Sequence, residues 1–124
     1  MKKLYSESFN HYVNQHAIFN EDHFSSLLSL FHVYKYNAGD HIIELENEKS
    51  IVFFIFSGLI RCYYLAEDGK EWSRGFVQEE VMCTTIPKEY LQRFSPYGIH
   101  SMEDSIILIA DFMSLKCCMI KFQW

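Results

Sequence analysis

Histidines and cysteines are the side chains of this 124-residue chain whose chemistry could support a metal or redox site. Zinc sites usually draw their ligands from short spacings, such as C-x-x-C or two histidines four positions apart on a helix. Neither spacing occurs here; the residues are His11, His16, His23, His32, His41 and His100, with Cys62, Cys83, Cys117 and Cys118. Only His41 and His100 fall in predicted strands. The sequence therefore predicts no metal site, no cofactor, and free thiols of a reducing, cytoplasmic compartment.

Patterns that mark hydrolases and nucleotide-dependent enzymes are also missing. Ser57-Gly58 lacks the G-x-S-x-G context of a nucleophile elbow, and there is no P-loop or dinucleotide glycine pattern. Glu79-Glu80 could form a paired-acid site, but adjacent residues in an extended chain point to opposite faces. The same alternation predicts that Tyr63-Tyr64 turns one ring inward and the other outward. The sequence therefore predicts a protein that is not an enzyme.

Composition narrows the class of partner. Hydrophobic residues make up 49% of the chain and the net charge is -5, with lysines and arginines scattered singly. Without a basic stripe to neutralise phosphates, we expect no direct nucleic acid binding by this chain. No apolar run approaches the roughly 20 residues of a membrane helix, and no apolar segment of a secretory signal follows the first lysines. We expect one domain over residues 1–124, with no membrane contact.

Hydrophobic periodicity supplies the elements that must position any site. Residues 1–32 read as two short helices, the first with Phe9, Tyr12, Val13 and His16 on one face. The second starts near a capping Asn20 and buries Phe24, Leu27, Leu28 and Phe31. From Phe112 onward, residues 112–124 read as the start of a C-terminal helix.

Residues 33–111 read as a series of short strands with turn signals between them, which predicts an all-β sandwich or barrel. Ile51–Phe56 is apolar throughout, as expected of a strand buried on both faces. Pro87–Phe94 reads as a helical turn or loop and Ser95–Gly98 as a break. The remaining predicted strands are Val33–Asn37, His41–Leu45, Leu59–Leu65, Glu71–Phe76, Val81–Thr85, Ile99–Met102 and Ser105–Ile109.

The order of several local motifs resembles the sensor domain of the Crp/Fnr regulators, over about Tyr34 to Leu115. Tyr36-x-x-Gly39-Asp40 is similar to the turn before the family's second strand, and Phe53–Arg61 to its glycine-bounded core. Leu65–Glu71 is similar to its Asp-Gly hairpin, and Met102–Ser105 to the segment before its last strand. The resemblance implies a mainly β fold, a jelly-roll β-barrel of the cyclic-nucleotide-binding type with short flanking α-helices. It also implies a non-enzymatic, ligand-gated role in transcription regulation.

The resemblance also indicates where a ligand would bind. In cyclic-nucleotide-binding members, a Gly-Glu pair and a later Arg hold the ribose and the cyclic phosphate. Here those positions fall around Cys83–Thr85 and Ser95-Pro96, and Arg93 lies two residues early. The resemblance therefore implies weak cyclic nucleotide binding or none. We expect a small-molecule effector, if there is one, between the Val81–Thr85 segment and the Arg93–Gly98 turn; the candidate contacts are Thr84, Thr85, Arg93, Ser95 and Tyr97.

Family regulators continue into a long dimerisation helix and a helix-turn-helix domain, whereas this sequence stops at Trp124. Its apolar tail, Lys116–Trp124, could dock on the barrel or form a homodimer. A truncated regulator and a sensor-only protein both remain open. Two other functions also remain open: a cupin-like metal-dependent enzyme on the same barrel, and an interaction module with a degenerate pocket.

Overall fold

A computed structural model describes residues 2–16, 21–43, 51–65, 68, 70–84 and 97–121. Three helices and eight strands lie in these ranges. The helices are α1 (Lys3–His16), α2 (Glu21–Ser29) and α3 (Phe112–Lys121). The strands are β1 (His32–Tyr36), β2 (His41–Ile43), β3 (Ile51–Ser57), β4 (Ile60–Leu65), β5 (Glu71–Val77), β6 (Met82–Thr84), β7 (Tyr97–Ser101) and β8 (Ser105–Asp111).

The strands form two antiparallel sheets of four. Sheet 1 has the order β1-β8-β3-β6, and sheet 2 has the order β2-β7-β4-β5. The chain crosses repeatedly from one sheet to the other, as in a double-sheet jelly roll. This confirms the mainly β, jelly-roll fold with short flanking helices.

Strand β3 is buried on both faces, as its continuous apolar sequence predicts. Phe53 and Ile55 enter the core between the sheets, together with Ile60, Ile99 and Ile107. The alternate residues of the strand, Val52 and Phe54, face the helices and pack in a second core; that core also contains Tyr5, Phe9, Val13, Leu27, Phe31, Leu108 and Ala110. Because successive side chains of a strand alternate in direction, one strand serves both cores.

The helices close the outer face of sheet 1. Phe9 of α1 is fully buried, with ring centroids 4.8 Å from Phe31 and 5.4 Å from Phe54. Val13 on the same helix face is buried too, so the predicted apolar stripe is confirmed at these positions. None of the helices in the described ranges is long and apolar enough to cross a bilayer.

Three sequence predictions are wrong. Tyr97 and Gly98 do not form a break but begin β7, because they pair with Tyr64 and Tyr63 of β4, and sheet pairing overrides local turn chemistry. The same strand ends at Ser101, one residue earlier than predicted. Glu79 and Glu80 are not extended but lie in a turn.

A further error concerns the histidines, because His32 opens β1 and lies in a strand as well. Several other predictions fall outside the described residues. They are the Asn20 cap, the end of the predicted second strand at Glu44-Leu45, part of the Glu67–Lys70 turn, and the Pro87–Phe94 segment.

Candidate ligand-sensing site

Thr84 and Tyr97 flank the segment in which we predicted the ligand contacts. Thr84 ends β6 and pairs with Val52, near the start of β3 in sheet 1. Tyr97 starts β7 and pairs with Tyr64, near the end of β4 in sheet 2. Since β3 and β4 run in opposite directions around Gly58, both positions lie at the same end of the sandwich.

The structure therefore brings the backbones of these two candidates to one end of the barrel, on different sheets. The other three candidates, Thr85, Arg93 and Ser95, lie outside the described residues. The segment that carries them starts from one sheet and ends on the other at this end, which we call the α3 end because β8 also finishes there and continues into α3.

A cavity of about 490 Å³ opens at the α3 end, within the usual range of small-molecule sites. Apolar walls come from β3, β8 and the end of α2, and polar groups come from the rim. The lining residues that matter for binding are Ser29, His32, Tyr34, Ile51, Ile109 and Ser114. Hydroxyl and imidazole groups around an apolar floor suit a small ligand with a few polar atoms.

Asp111 joins this cavity to α3. One of its carboxylate oxygens, Oδ2, accepts hydrogen bonds from the Ser114 backbone N–H at 2.9 Å and from the Ser114 hydroxyl at 3.1 Å. This is an N-terminal cap of α3, with a negative charge at the positive end of the helix dipole. A ligand in the cavity would touch both the cap and the first turn of α3.

A second cleft, of about 620 Å³, opens at the opposite end of the sandwich, where Gly58 connects the sheets. Three glutamates line it, Glu79, Glu80 and Glu103, beside Leu59 and Gln78. The Glu79 carboxylate accepts a hydrogen bond from the Gly58 backbone N–H at 3.3 Å. An acidic lining opposes a phosphate or carboxylate ligand in this cleft.

Two groups near the core have shifted pKa values. Burial raises the pKa of the Cys83 thiol, which lies one residue before Thr84 and packs in the core between the sheets. A thiol held in its protonated form is a poor nucleophile and a poor metal ligand. The pKa of Tyr36 is also raised, first by burial and then by the nearby Tyr34 and Asp40.

The outer face of sheet 2 carries a cluster of aromatic rings that the sequence prediction did not bring together. His41 of β2 and His100 of β7 are register partners, with ring centroids 5.6 Å apart. Tyr63 of β4 lies beside both, at 5.1 Å from His100 and 6.4 Å from His41. Its ring covers Gly98, where a Cβ would lie 2.6 Å from the Tyr63 hydroxyl oxygen.

Tyr63 lies on the outer face of the sheet, where alternation predicts an exposed side chain, but the ring is buried. Ile60 and Cys62 face the core between the sheets, so Tyr63 points outward, yet it is only 3% exposed. The glycine at position 98 is the sequence signal that could have revealed this contact. Among the described residues, no group of three or more His, Cys, Asp or Glu side chains could hold a metal ion.

Comparison with known proteins rests on structure. No family model matches the sequence, and no curated protein matches it. The sensor domain of the transcriptional regulator DNR from Pseudomonas aeruginosa superposes with a TM-score of 0.75 at 11% identity, over 94% of this chain and 79% of that domain. This is the fold of a Crp/Fnr-type sensor domain. The heme domain of CooA from Carboxydothermus hydrogenoformans gives a TM-score of 0.63 at 22% identity, over 94% of this chain and 75% of that one.

Longer regulators match over part of their length. The catabolite activator protein of Thermus thermophilus gives a TM-score of 0.66 at 15% identity, over 85% of this chain and 49% of that protein. In two other structures of CooA, this chain spans 64% and 43% of the matched chain. Identities below 25% establish the common fold of the sensor domain, while its ligand must be argued from its own residues.

Proposed function

We propose that this chain is the regulatory sensor domain of a Crp/Fnr-type transcription regulator and binds a small effector at the α3 end of its barrel. The observation that carries the proposal is the position of the 490 Å³ cavity, which meets the first turn of α3 at Ser114. A ligand there can bias the position of a helix directly, which is what a sensor domain requires. The same end receives both ends of the segment that holds Thr85, Arg93 and Ser95.

The effector that we propose is not a cyclic nucleotide. The sequence places Thr84-Thr85 and Ser95-Pro96 where cyclic-nucleotide-binding members of the family have their Gly-Glu pair and Arg. Without the guanidinium, a buried cyclic phosphate would lack its charge partner. Thr84, Thr85, Arg93, Ser95 and Tyr97 remain the proposed polar contacts, and Arg93 is the one cation among them.

Dimerisation through α3 is part of the same proposal. Phe112 and Leu115 of this helix pack against the core next to sheet 1, whereas Met113 is 49% exposed. An exposed methionine between two half-buried positions suits a helix that packs against a second copy. Sedimentation should show a homodimer for the natural chain and a shift towards monomer for Met113→Lys, with Lys2→Met as a surface control.

A ligand-binding experiment tests the location and the class of the effector. Calorimetry with cyclic AMP and cyclic GMP should show no micromolar binding, and a thermal-shift screen of small metabolites should find at least one stabilising compound. NMR shift changes on adding that compound should be concentrated at Ser29, His32 and Ser114. Ser114→Phe, which narrows the cavity, should abolish the thermal shift.

Gln78→Phe is the matched control, because it places the same ring in the acidic cleft at the opposite end. Loss of binding in the control but not in Ser114→Phe would contradict the proposed location. Micromolar binding of either cyclic nucleotide would contradict the proposed ligand class.

A further inference from the structure

Two histidines that are distant in the sequence form a cross-strand pair on the outer face of sheet 2. His41 and His100 are direct register partners in the antiparallel β2–β7 ladder, and their ring centroids are 5.6 Å apart. His41 is exposed and His100 is half-buried, so solvent reaches the pair. Neither residue lines the cavity at the α3 end, so this surface is separate from the proposed effector site.

The backbone on one side of the pair is hydrogen-bonded across the ladder. Ser101 N–H donates to the Asp40 carbonyl at 2.9 Å, and Gly39 N–H donates to the Ser101 carbonyl at 2.7 Å. Each histidine is therefore next to a residue that bonds across the same ladder. Because His41 and His100 are already register partners, the two imidazoles do not have to be brought together when a ligand binds, which lowers the entropic cost of binding.

The contact with Tyr63 orients the His41 ring through one of its two nitrogens. The Tyr63 hydroxyl lies 3.4 Å from His41 Nδ1, a long hydrogen bond. If Nδ1–H donates to the hydroxyl oxygen, the lone pair of the ring is on Nε2, which points away from Tyr63. Metal-binding histidines are generally oriented in this way, by a partner on the second ring nitrogen.

Arg61 is a described cation on the strand next to His100, and its Nε has a partner on β5. Arg61 of β4 pairs with His100 in register, but its Nε donates to the Ser73 hydroxyl of β5 at 2.8 Å. Its guanidinium lies 5.0 Å from the centre of the Tyr63 ring. Arg61 Nε is therefore engaged by β5, and its guanidinium lies over the Tyr63 ring.

We propose that His41 and His100 bind a divalent cation of the zinc class, one imidazole nitrogen each, with water completing the coordination. Imidazole is a preferred ligand of Zn²⁺, Ni²⁺ and Cu²⁺, and two neutral imidazoles on adjacent strands can chelate one ion. With only two protein ligands, the site is exchangeable and of modest affinity. Tyr63 is a positioning residue that holds the His41 ring.

The bound ion would tie β2 to β7. β2 is an edge strand of three residues with an irregular register, and β7 is the strand that follows the proposed ligand-binding segment. Cross-linking them through a metal would stabilise the folded chain over the unfolded chain, in which the two histidines are far apart. Zinc would then stabilise β7, the strand that follows the segment with the proposed effector contacts.

Calorimetric titration of the whole chain with Zn²⁺ at pH 7.5 tests the site. All variants are made in a Cys117→Ser/Cys118→Ser background, so that the adjacent thiols of α3 do not compete. One equivalent should bind and raise the Tm by several degrees. His41→Gln and His100→Gln should each weaken binding at least tenfold and abolish the rise in Tm. Tyr63→Phe should weaken binding by about tenfold, as loss of an orienting partner does.

His11→Gln is the matched control, since it changes an exposed histidine of α1 that lines neither cavity, and it should leave zinc binding unchanged. The Tm of each variant without metal shows that it is folded. The electron paramagnetic resonance spectrum of bound Cu²⁺ should show nitrogen splitting in the parent. Loss of that splitting in either histidine variant would support His41 and His100 as the ligands. Binding that survives in His41→Gln/His100→Gln, or a parent that binds no Zn²⁺ below 1 mM (roughly the weak limit of specific binding), would overturn the proposal.

Discussion

Gly58 connects the two sheets, and its replacement by alanine is the sharpest test of how the sandwich closes. Its backbone φ is +119°, a conformation that residues with a Cβ atom rarely adopt. A Cβ at this position would overlap the Ser105 hydroxyl and lie 2.8 Å from Ser105 Cα. Ser105 cannot move aside easily, because it is buried and pairs with Tyr36 in the β1–β8 ladder.

The loss of stability in Gly58→Ala follows from the backbone strain and from the steric overlap with Ser105. A non-glycine residue in such a conformation costs about 1–3 kcal/mol, and overpacking of a buried contact costs about 1–3 kcal/mol more. Alanine recovers about 0.4–1 kcal/mol by restricting the unfolded chain. Gly58→Ala should therefore lower the free energy of unfolding by about 1–6 kcal/mol, a large part of the total of a small domain.

Urea denaturation followed by circular dichroism measures this loss, and the midpoint should fall by about 1 M or more. The matched control is Gly75→Ala, because a Cβ at Gly75 meets no atom within 4 Å; its stability should not fall. Adding Ser105→Gly to Gly58→Ala should relieve the steric term, with a coupling energy of about 1 kcal/mol or more. A Gly58→Ala protein as stable as the parent would refute the reasoning.

Three further substitutions and one alkylation experiment test individual contacts. Glu80→Gly should raise the unfolding free energy by about 0.5–1 kcal/mol, because Glu80 has a φ of 60° and an exposed side chain; a lower urea midpoint would contradict this. Ser101→Ala should stabilise by about 1 kcal/mol, since the buried Ser101 hydroxyl has no hydrogen-bond partner within the described residues; destabilisation would indicate a partner. The raised pKa of Tyr36 favours its neutral form in the fold, so this stabilisation is present below about pH 10 and is lost as the pH rises through the folded-state pKa. Tyr36→Phe should accordingly lose less stability than the parent as the pH rises above about 10, and identical pH profiles would count against it. The raised pKa of Cys83 predicts alkylation by iodoacetamide at pH 8 at least about tenfold slower than at the exposed Cys117, as peptide mass mapping would show; equal rates would be inconsistent with burial.

Much of the fold could be predicted from local patterns. The apolar run of β3 and the turn chemistry before β5 placed both strands to within one residue. The helix faces of Phe9 and Phe24 were equally clear from their spacing. These features depend on neighbours along the chain, so a single sequence is sufficient to reveal them.

The boundaries of β7 could not be predicted in the same way. Tyr97 and Gly98 follow a proline and have the composition of a turn, but they lie opposite Tyr64 and Tyr63. Their conformation is determined by a strand that is distant in sequence. Similarly, nothing near Glu80 indicates a positive φ, because the turn is imposed where its N–H bonds the Ile55 carbonyl at 2.8 Å.

The sequence by itself determined the mainly β fold class and the glycine-bounded central strand. Only the tertiary structure decided which residues meet. It brought Thr84 and Tyr97 to the end of the barrel where α3 begins, and it paired His41 with His100. The physical reason is that periodicity records which face a side chain takes, whereas the partner across a ladder depends on how distant strands align.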